Sequence, residues 1–470
     1  MASHRTWEKK MAGTADATAR FTETVGRDNL LSGDAVGDDY AHDEALSWPP
    51  RRPAHVARPA TAQEVAGLLA VAAEYGVPVT ARGSGTGLSG AARPREDGLL
   101  ISFERMNKVL EIDTDNQVAV VQPGVTLAEL DARTAAVGLA YTVYPGELSA
   151  TVGGNVGTNA GGMRAVKHGV TRNNVLGIEA VLPTGEIVRT GGKTSKVSTG
   201  YDLTQLIVGS EGTLALVTEV TVRLVPRPPH GATLLVPFGD FDQVMAAVPR
   251  LVASGLAPSI LEYIDTPTMD AICRIQELEL GVPDDIRKAD PAYLVVGLES
   301  HDGERLRGDI ENAGTLLDDL GAAAVYVLEG GSARRLVEAR EKAFWTVKAI
   351  GAHDLIDVVV PRSRMPEFLA RVRELAAAAD SRVLGCGHAG DGNVHLAVFC
   401  EDPERRHALL HDVFAAGIAV GGAISGEHGV GQAKKEHFLT LEDPAKVALM
   451  RRVKHAFDPE GILNPDVLLD

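Results

Sequence analysis

Three glycine-rich stretches, at 82–90, 145–162 and 209–214, constrain this chain more than any other feature. Backbone without bulky side chains builds no core and is placed where another group must approach it closely. The first stretch, Arg82-Gly83-Ser84-Gly85-Thr86-Gly87-Leu88-Ser89-Gly90, contains a literal G-x-G-x-x-G at Gly85, Gly87 and Gly90. A Rossmann site needs a helix to open there, and Ala91-Ala92-Arg93-Pro94-Arg95-Glu96 starts one poorly. What the loop offers is a row of backbone N–H groups for a pyrophosphate, with the Ser84 and Thr86 hydroxyls beside them. The second stretch runs from Pro145-Gly146 through Gly153-Gly154-Asn155 and Thr158 to Gly161-Gly162. It reads as either a long flexible loop or backbone wrapped around a large ligand. The third, Gly209-Ser210-Glu211-Gly212-Thr213-Leu214, follows the apolar run Leu206-Ile207-Val208. Together they imply an extended dinucleotide held without a Rossmann fingerprint.

A chain of 470 residues exceeds one ordinary core, so two or three domains are expected. The 63 acidic against 46 basic side chains argue against nucleic acid and against adhesion to anionic lipid. Cys273, Cys386 and Cys400 form no disulfide framework and fit a reducing compartment. No apolar run is long enough to span a membrane, and Met1 to Lys10 lacks the apolar core of a secretory signal. A cytoplasmic location follows, with attachment to a membrane surface through a partner left open.

The elements fall into a pattern. Thr61-Ala62-Gln63-Glu64 and Thr126-Leu127-Ala128-Glu129 are capping boxes, each opening a helix. Val77 to Thr80 reads as a strand, Gly177 to Thr190 as a hairpin around Thr184-Gly185, and Ala215 to Leu224 as a further strand. Arg227-Pro228-Pro229 marks a domain boundary. Beyond it strands such as Leu234–Val236, Leu294–Val296, Val325–Val327 and Val358–Val360 alternate with amphipathic stretches such as Met365 to Ala379. That alternation predicts an α+β domain with helices on an antiparallel sheet.

Within it lies Gly387-His388-Ala389-Gly390-Asp391-Gly392-Asn393-Val394-His395. Asp391-Gly392 is a strong two-residue hairpin turn. With those two as the loop, Gly390 faces Asn393, Ala389 faces Val394 and His388 faces His395, their Cβ atoms roughly 5 Å apart. Two imidazoles so placed can share a divalent metal. Gly426-Glu427-His428-Gly429-Val430-Gly431 supplies a third ligand in Glu427 and leaves His428 over as a base.

These motifs occur in a fixed order, completed by Asp458-Pro459 and Gly461-Ile462-Leu463-Asn464-Pro465. Over about residues 45 to 467 that order resembles the FAD-linked oxidases of the vanillyl-alcohol oxidase superfamily, and within it the D-2-hydroxy acid dehydrogenases. The resemblance implies an α+β fold: an N-terminal extension (1–50), a two-lobed FAD-binding domain of the PCMH type (51–228), and a cap domain with an antiparallel sheet (229–425). A C-terminal helical segment (426–470) would return to the flavin. It assigns FAD contacts to Arg82, Gly83, Ser84, Gly85, Thr86, Gly87, Leu88, Pro145, Gly146, Gly153, Gly154, Asn155, Thr158, Gly161, Gly162, Glu211, Gly212 and Asn464. Some relatives tether FAD through a histidine in the first loop. Residues 82–90 contain none, so FAD is expected to be noncovalent.

The same resemblance assigns His388, His395 and Glu427 to a divalent metal, with zinc or manganese leading, and His428 to the base. Arg340 matches the position of a substrate-carboxylate arginine; on the residues alone it could equally be a helix-surface arginine paired with Glu338 or Glu341. Phe344 and Leu355 stand where the hydroxyglutarate enzymes carry a polar residue and a lysine, which weakens the case for a second substrate carboxylate. The expectation is oxidation of a small D-2-hydroxy acid, of the D-lactate or glycolate type, to the 2-oxo acid. Its partners would be an electron acceptor the sequence does not name and a second copy of the chain in a homodimer. The alternatives are a non-redox FAD-dependent alkyl transferase of the same superfamily, or the FAD subunit of a multi-subunit glycolate oxidase.

Overall fold

The computed structural model describes residues 16–469, so the reading of Met1 to Lys10 as lacking a signal lies outside the described residues. The first lobe is built on four strands, Leu30–Ser32 (β1), His55–Ala57 (β2), Val79–Arg82 (β3) and Leu99–Ser102 (β4), in the order β1-β2-β4-β3. β2, β4 and β3 run parallel, which requires crossovers, and the helix Ala62–Tyr75 supplies one of them. Its boundaries are set by chemistry read in the sequence. Thr61 Oγ1 accepts the Glu64 N–H at 3.1 Å, and Gly76 ends the helix in the left-handed region at φ 63°. Val65, Leu68, Leu69 and Ala72 bury its inner face. The described part of the expected N-terminal extension is built into this lobe: residues 16–25 are helical and bury Ala17 and Phe21 in the same core, and β1 pairs with β2.

The second lobe is an antiparallel sheet of Val109–Asp113 (β5), Val118–Val121 (β6), Val175–Val181 (β8), Ile187–Gly191 (β9) and Leu216–Arg223 (β10), ordered β5-β6-β10-β8-β9. A two-stranded ribbon, Leu139–Ala140 (β7) with Val225–Pro226 (β11), lies beside it. Thr126 caps the helix Leu127–Ala135 as expected. The 145–162 stretch is not the unstructured loop its composition allows. Thr151 Oγ1 caps a helix at Val152–Thr158, whose Val152 and Val156 enter the core.

After Arg227-Pro228-Pro229 the chain forms a seven-stranded antiparallel sheet: His230–Phe238 (β12), Ile260–Ile264 (β13), Ala292–Ser300 (β14), Tyr326–Leu328 (β15), Asp354–Val359 (β16), Arg382–His388 (β17) and Asn393–Phe399 (β18). The order is β15-β12-β14-β13-β17-β18-β16. Helices Phe241–Ala253, Met365–Ala378 and Pro403–Ala419 cover one face, burying Leu261, Ile356, Val358, Val394 and Leu396. The opposite face carries Ile260, Ile264, Cys386 and the site described below, roofed by Thr266–Ile275, Gly330–Glu341 and Ala343–Ala349.

The last segment goes back to the first lobe. Val79 N–H donates to Ile462 at 2.8 Å and Asn464 N–H donates to Val79 at 2.7 Å, extending β3 by one bridge. Among the described residues no helix is long and apolar enough to cross a membrane.

Candidate active site

The register of the histidine hairpin differs from the two-residue loop expected. His388 pairs with Asn393 and Cys386 with His395, so Ala389 to Gly392 form a four-residue loop. The Asp391 and Gly392 N–H groups both close on the His388 carbonyl, and the Gly390 N–H is taken by Leu261 on β13, which removes Ala389 and Gly390 from the ladder. A slip of one residue would have thrown the histidines onto opposite faces; moving the pairing by an even number keeps them on one. Their rings sit 4.8 Å apart, diagonally instead of directly opposed.

The face carries its functional groups in rows. In the first row His388 stands beside Asn393, and the β13–β17 ladder carried one step further sets Glu262 opposite His388. In the next row Cys386, His395 and Asp357 are paired neighbours. Glu427 arrives from the 426–431 loop, and its Oε1 lies 3.1 Å from His388 Nε2 and 3.2 Å from His395 Nε2. His428 stacks on His395 with ring centroids 5.0 Å apart. His388, His395 and Glu427 thus converge as one group able to hold a metal; Asp357, His395 and His428 form a second, overlapping one. His388 Nδ1 donates to Glu262 at 2.6 Å, so Nε2 is the nitrogen aimed at the shared point and the one that would ligate a metal on losing its proton. The donor set fits a divalent ion such as zinc or manganese.

Charge is balanced inside this cluster. Burial alone would lower His388, but Glu262 and Glu427 outweigh it and hold the imidazole well above its ordinary value. Burial raises Glu427, yet His388 and His395 keep it below the carboxylate range. His428 is pushed down to about 4 by burial, with His395 and Lys434 adding to the effect against Asp357. Asp357, fully buried, is held well below its ordinary value by His428, Lys434 and His395. Its Oδ2 accepts from Ser425 Oγ at 2.7 Å and from the N–H groups of Gly426, Glu427 and His428 at 3.1, 3.1 and 2.8 Å. One carboxylate therefore shapes the loop that carries Glu427 and His428.

Arg340 is not a helix-surface residue. It is 6% exposed, lies 2.6 Å from Glu262 Oε2, and faces the cavity that His388 and His395 also line. The contact is an ion pair without hydrogen-bond angles, so Arg340 Nε and Nη2 keep free donor capacity. That cavity, of about 80 Å³, is also lined by Gly146, Gly162, Phe344 and Leu355.

A larger cleft of about 190 Å³ opens beside it, and Leu88, Pro145, Glu427 and His428 line both. Arg82 to Leu88, Pro145, Gly153, Gly154, Asn155, Thr158, Glu211 and Gly212 line the cleft, bringing the three glycine stretches onto one space. The stretches touch directly: a Cβ on Gly83 would stand 2.1 Å from Thr151 Oγ1. No helix opens after Gly90, as expected for a loop that is not a Rossmann turn. Asn155 Nδ2 is buried in the wall with no partner, a donor that suits an acceptor-rich dinucleotide.

Four residues assigned to the flavin lie off the cleft. Gly146 and Gly162 line the smaller cavity. Gly161 backs the metal group, where a Cβ would stand 2.5 Å from Glu427 Oε2. Asn464 is a clamp: its Nδ2 donates to the Ala91 and Glu211 carbonyls at 2.9 and 2.7 Å, and its Oδ1 accepts from Thr80. Glu211 lines the cleft but commits its carboxylate elsewhere, accepting Val430 and Gly431 N–H groups at 2.9 and 2.7 Å. Sequence reading missed Glu262 and Asp357. The available signal was an acid in the middle of an apolar strand, Ile260-Leu261-Glu262-Tyr263-Ile264 and Leu355-Ile356-Asp357-Val358-Val359, where burial without a partner is costly.

The two-lobed cradle thus faces a histidine–carboxylate cluster carried on the cap sheet. The chain belongs to the FAD-linked oxidases: the family described as "FAD linked oxidases, C-terminal domain" matches residues 227–468, and "FAD binding domain" matches 53–191. It is 67% identical over 97% of its length, and 99% of the relative's, to an uncharacterized FAD-linked oxidoreductase of Mycobacterium tuberculosis. It is 38% identical to a D-lactate dehydrogenase of Anaerostipes hadrus (96% of this chain, 97% of the relative) and 35% identical to glycolate oxidase subunit GlcD of Bacillus subtilis (96% of each). The fold is shared with p-cresol methylhydroxylase (TM-score 0.79, 18% identity, covering 98% and 97%) and with an alkyldihydroxyacetonephosphate synthase (TM-score 0.72, 17% identity, covering 93% and 82%).

Proposed function

We propose that this FAD-linked oxidoreductase oxidises D-2-hydroxy acids carrying one carboxylate to the 2-oxo acids, with noncovalent FAD in the larger cleft and a divalent metal on His388, His395 and Glu427. The observation that carries the reading is the convergence of two imidazole Nε2 atoms on one Glu427 oxygen, at the wall shared by the two cavities. The D-lactate dehydrogenase and GlcD relatives support the substrate class. The reaction takes a proton from the hydroxyl and a hydride from Cα. When bound, the flavin supplies a hydride acceptor and the metal a Lewis acid for the hydroxyl oxygen.

The remaining work falls to the chain. Burial keeps His428 neutral and able to take the hydroxyl proton, and Asp357 Oδ2, 3.9 Å from its Nδ1, balances the charge it then carries. Arg340 lines the cavity where the substrate carboxylate would lie, and Glu262 fixes its position. His388 and Glu427 are 5% and 9% exposed, so water is kept from the charges that form. The alkyl-transferase alternative rests on likeness of fold alone. Convergence of the whole residue set argues against an idle subunit. Anaerobic stopped-flow bleaching of the flavin by D- and L-2-hydroxy acids tests the proposal: D-monocarboxylic acids reduce it, and a flavin that no member reduces overturns it.

A further inference from the structure

The rows that carry the metal group continue. Two residues along the strands, about 7 Å beyond His395, the next row on the same face is Leu384, Ala397 and Leu355. No charged side chain stands on that row. All three line the same cavity as His388 and His395, and Phe344 and Val347 of the helix Ala343–Ala349 line it as well. The middle position is alanine between two leucines, which leaves a groove where a third large side chain would have closed the floor. The cavity is partly open to solvent, so a ligand longer than lactate's three carbons is not closed off.

Resting on the function proposed above, we infer that the preferred substrates are 2-hydroxy acids with an apolar side chain several carbons long, which covers this row, whereas D-lactate and glycolate leave it uncovered. The carboxylate and hydroxyl sit at the Arg340 and histidine end; the chain runs over Ala397 toward Leu355 and Leu384. Each methylene laid on such a floor is worth roughly fourfold in binding. A terminal carboxylate would reach the same floor with no partner, so dicarboxylic acids are excluded by the same row.

The test is flavin reduction in the holoenzyme by D-2-hydroxy acids of three, four, six and eight carbons. The expected result is a kcat/KM that rises with length, by at least tenfold between D-lactate and D-2-hydroxyhexanoate. D-lactate reducing the flavin as well as the longer acids overturns this inference and leaves the 2-hydroxy acid reading standing. Failure of every acid overturns both. As a second measurement, Ala397→Phe fills the groove and should lower the ratio of kcat/KM for D-2-hydroxyoctanoate over D-lactate by tenfold or more. An unchanged ratio in folded, FAD-loaded protein also overturns the inference.

Discussion

Glu262 holds His388 by its Nδ1 at 2.6 Å from the neighbouring strand, so a carboxylate outside the His388, His395 and Glu427 group decides which imidazole nitrogen faces that group. Such outer partners typically tune metal affinity by ten- to a hundredfold. Glu262→Gln, which keeps the acceptor but removes the charge shared with Arg340, should weaken divalent-metal binding by roughly tenfold at unchanged FAD content. Competition with a chromophoric chelator measures it, and parental affinity would remove Glu262 from the site's support.

A chelator should strip one divalent ion and the activity with it while the flavin stays, since the glycine loops that line the cleft contribute nothing to the His388, His395 and Glu427 group. His388→Ala and His395→Ala should each lower metal occupancy. Full metal content in both variants contradicts the assignment.

His428→Asn should leave metal and FAD contents unchanged and slow flavin reduction by roughly 10²-fold, the usual contribution of a positioned base. Glu427→Ala should lose metal and activity together. Parental reduction rates in the His428 variant exclude the base role; loss of its metal moves His428 among the ligands.

Heat or acid should release intact FAD into the supernatant. The cleft wall contains neither cysteine nor tyrosine, and its one histidine is His428. Flavin that precipitates with the polypeptide would show a covalent link.

A separate histidine cluster predicts acid sensitivity. His437 is buried on the helix Lys435–Leu441 against His407 and His411 of Pro403–Ala419, with ring centroids 4.6 and 5.6 Å away. Burial, with the two neighbours, lowers it to about 4. The unfolded chain therefore takes the proton first as pH falls, so the stabilisation is complete above about 6.5 and is lost between there and about 4. Urea midpoints of His437→Gln should fall less steeply across that window than those of the parent; equal slopes refute the cluster's part in acid unfolding.

Much of this architecture was legible because local chemistry decided it. Thr61 and Thr126 announced their helices through side-chain caps, and the strand pattern after Pro229 announced the cap sheet. The hairpin register was misread because Asp391-Gly392 signals a tight turn locally, while the bond from Gly390 to Leu261, 129 residues distant in sequence by subtraction, is invisible there. The helix at 152–158 was hidden by glycines that packing tolerates. Asn464 and Glu211 carry motif positions, yet their side chains serve contacts with remote backbone that no spacing rule reports.

Those remote contacts bear on how the protein comes off the ribosome. Glu211 is synthesised more than two hundred residues before the Val430 and Gly431 amides that it captures, and β3 waits still longer for Leu463. Both cavities lack a wall until the C-terminal segment emerges and docks. Most of the sheets can thus form before either cavity is closed, and the glycine loops of the first lobe gain these last neighbours only once residues 426–464 have emerged.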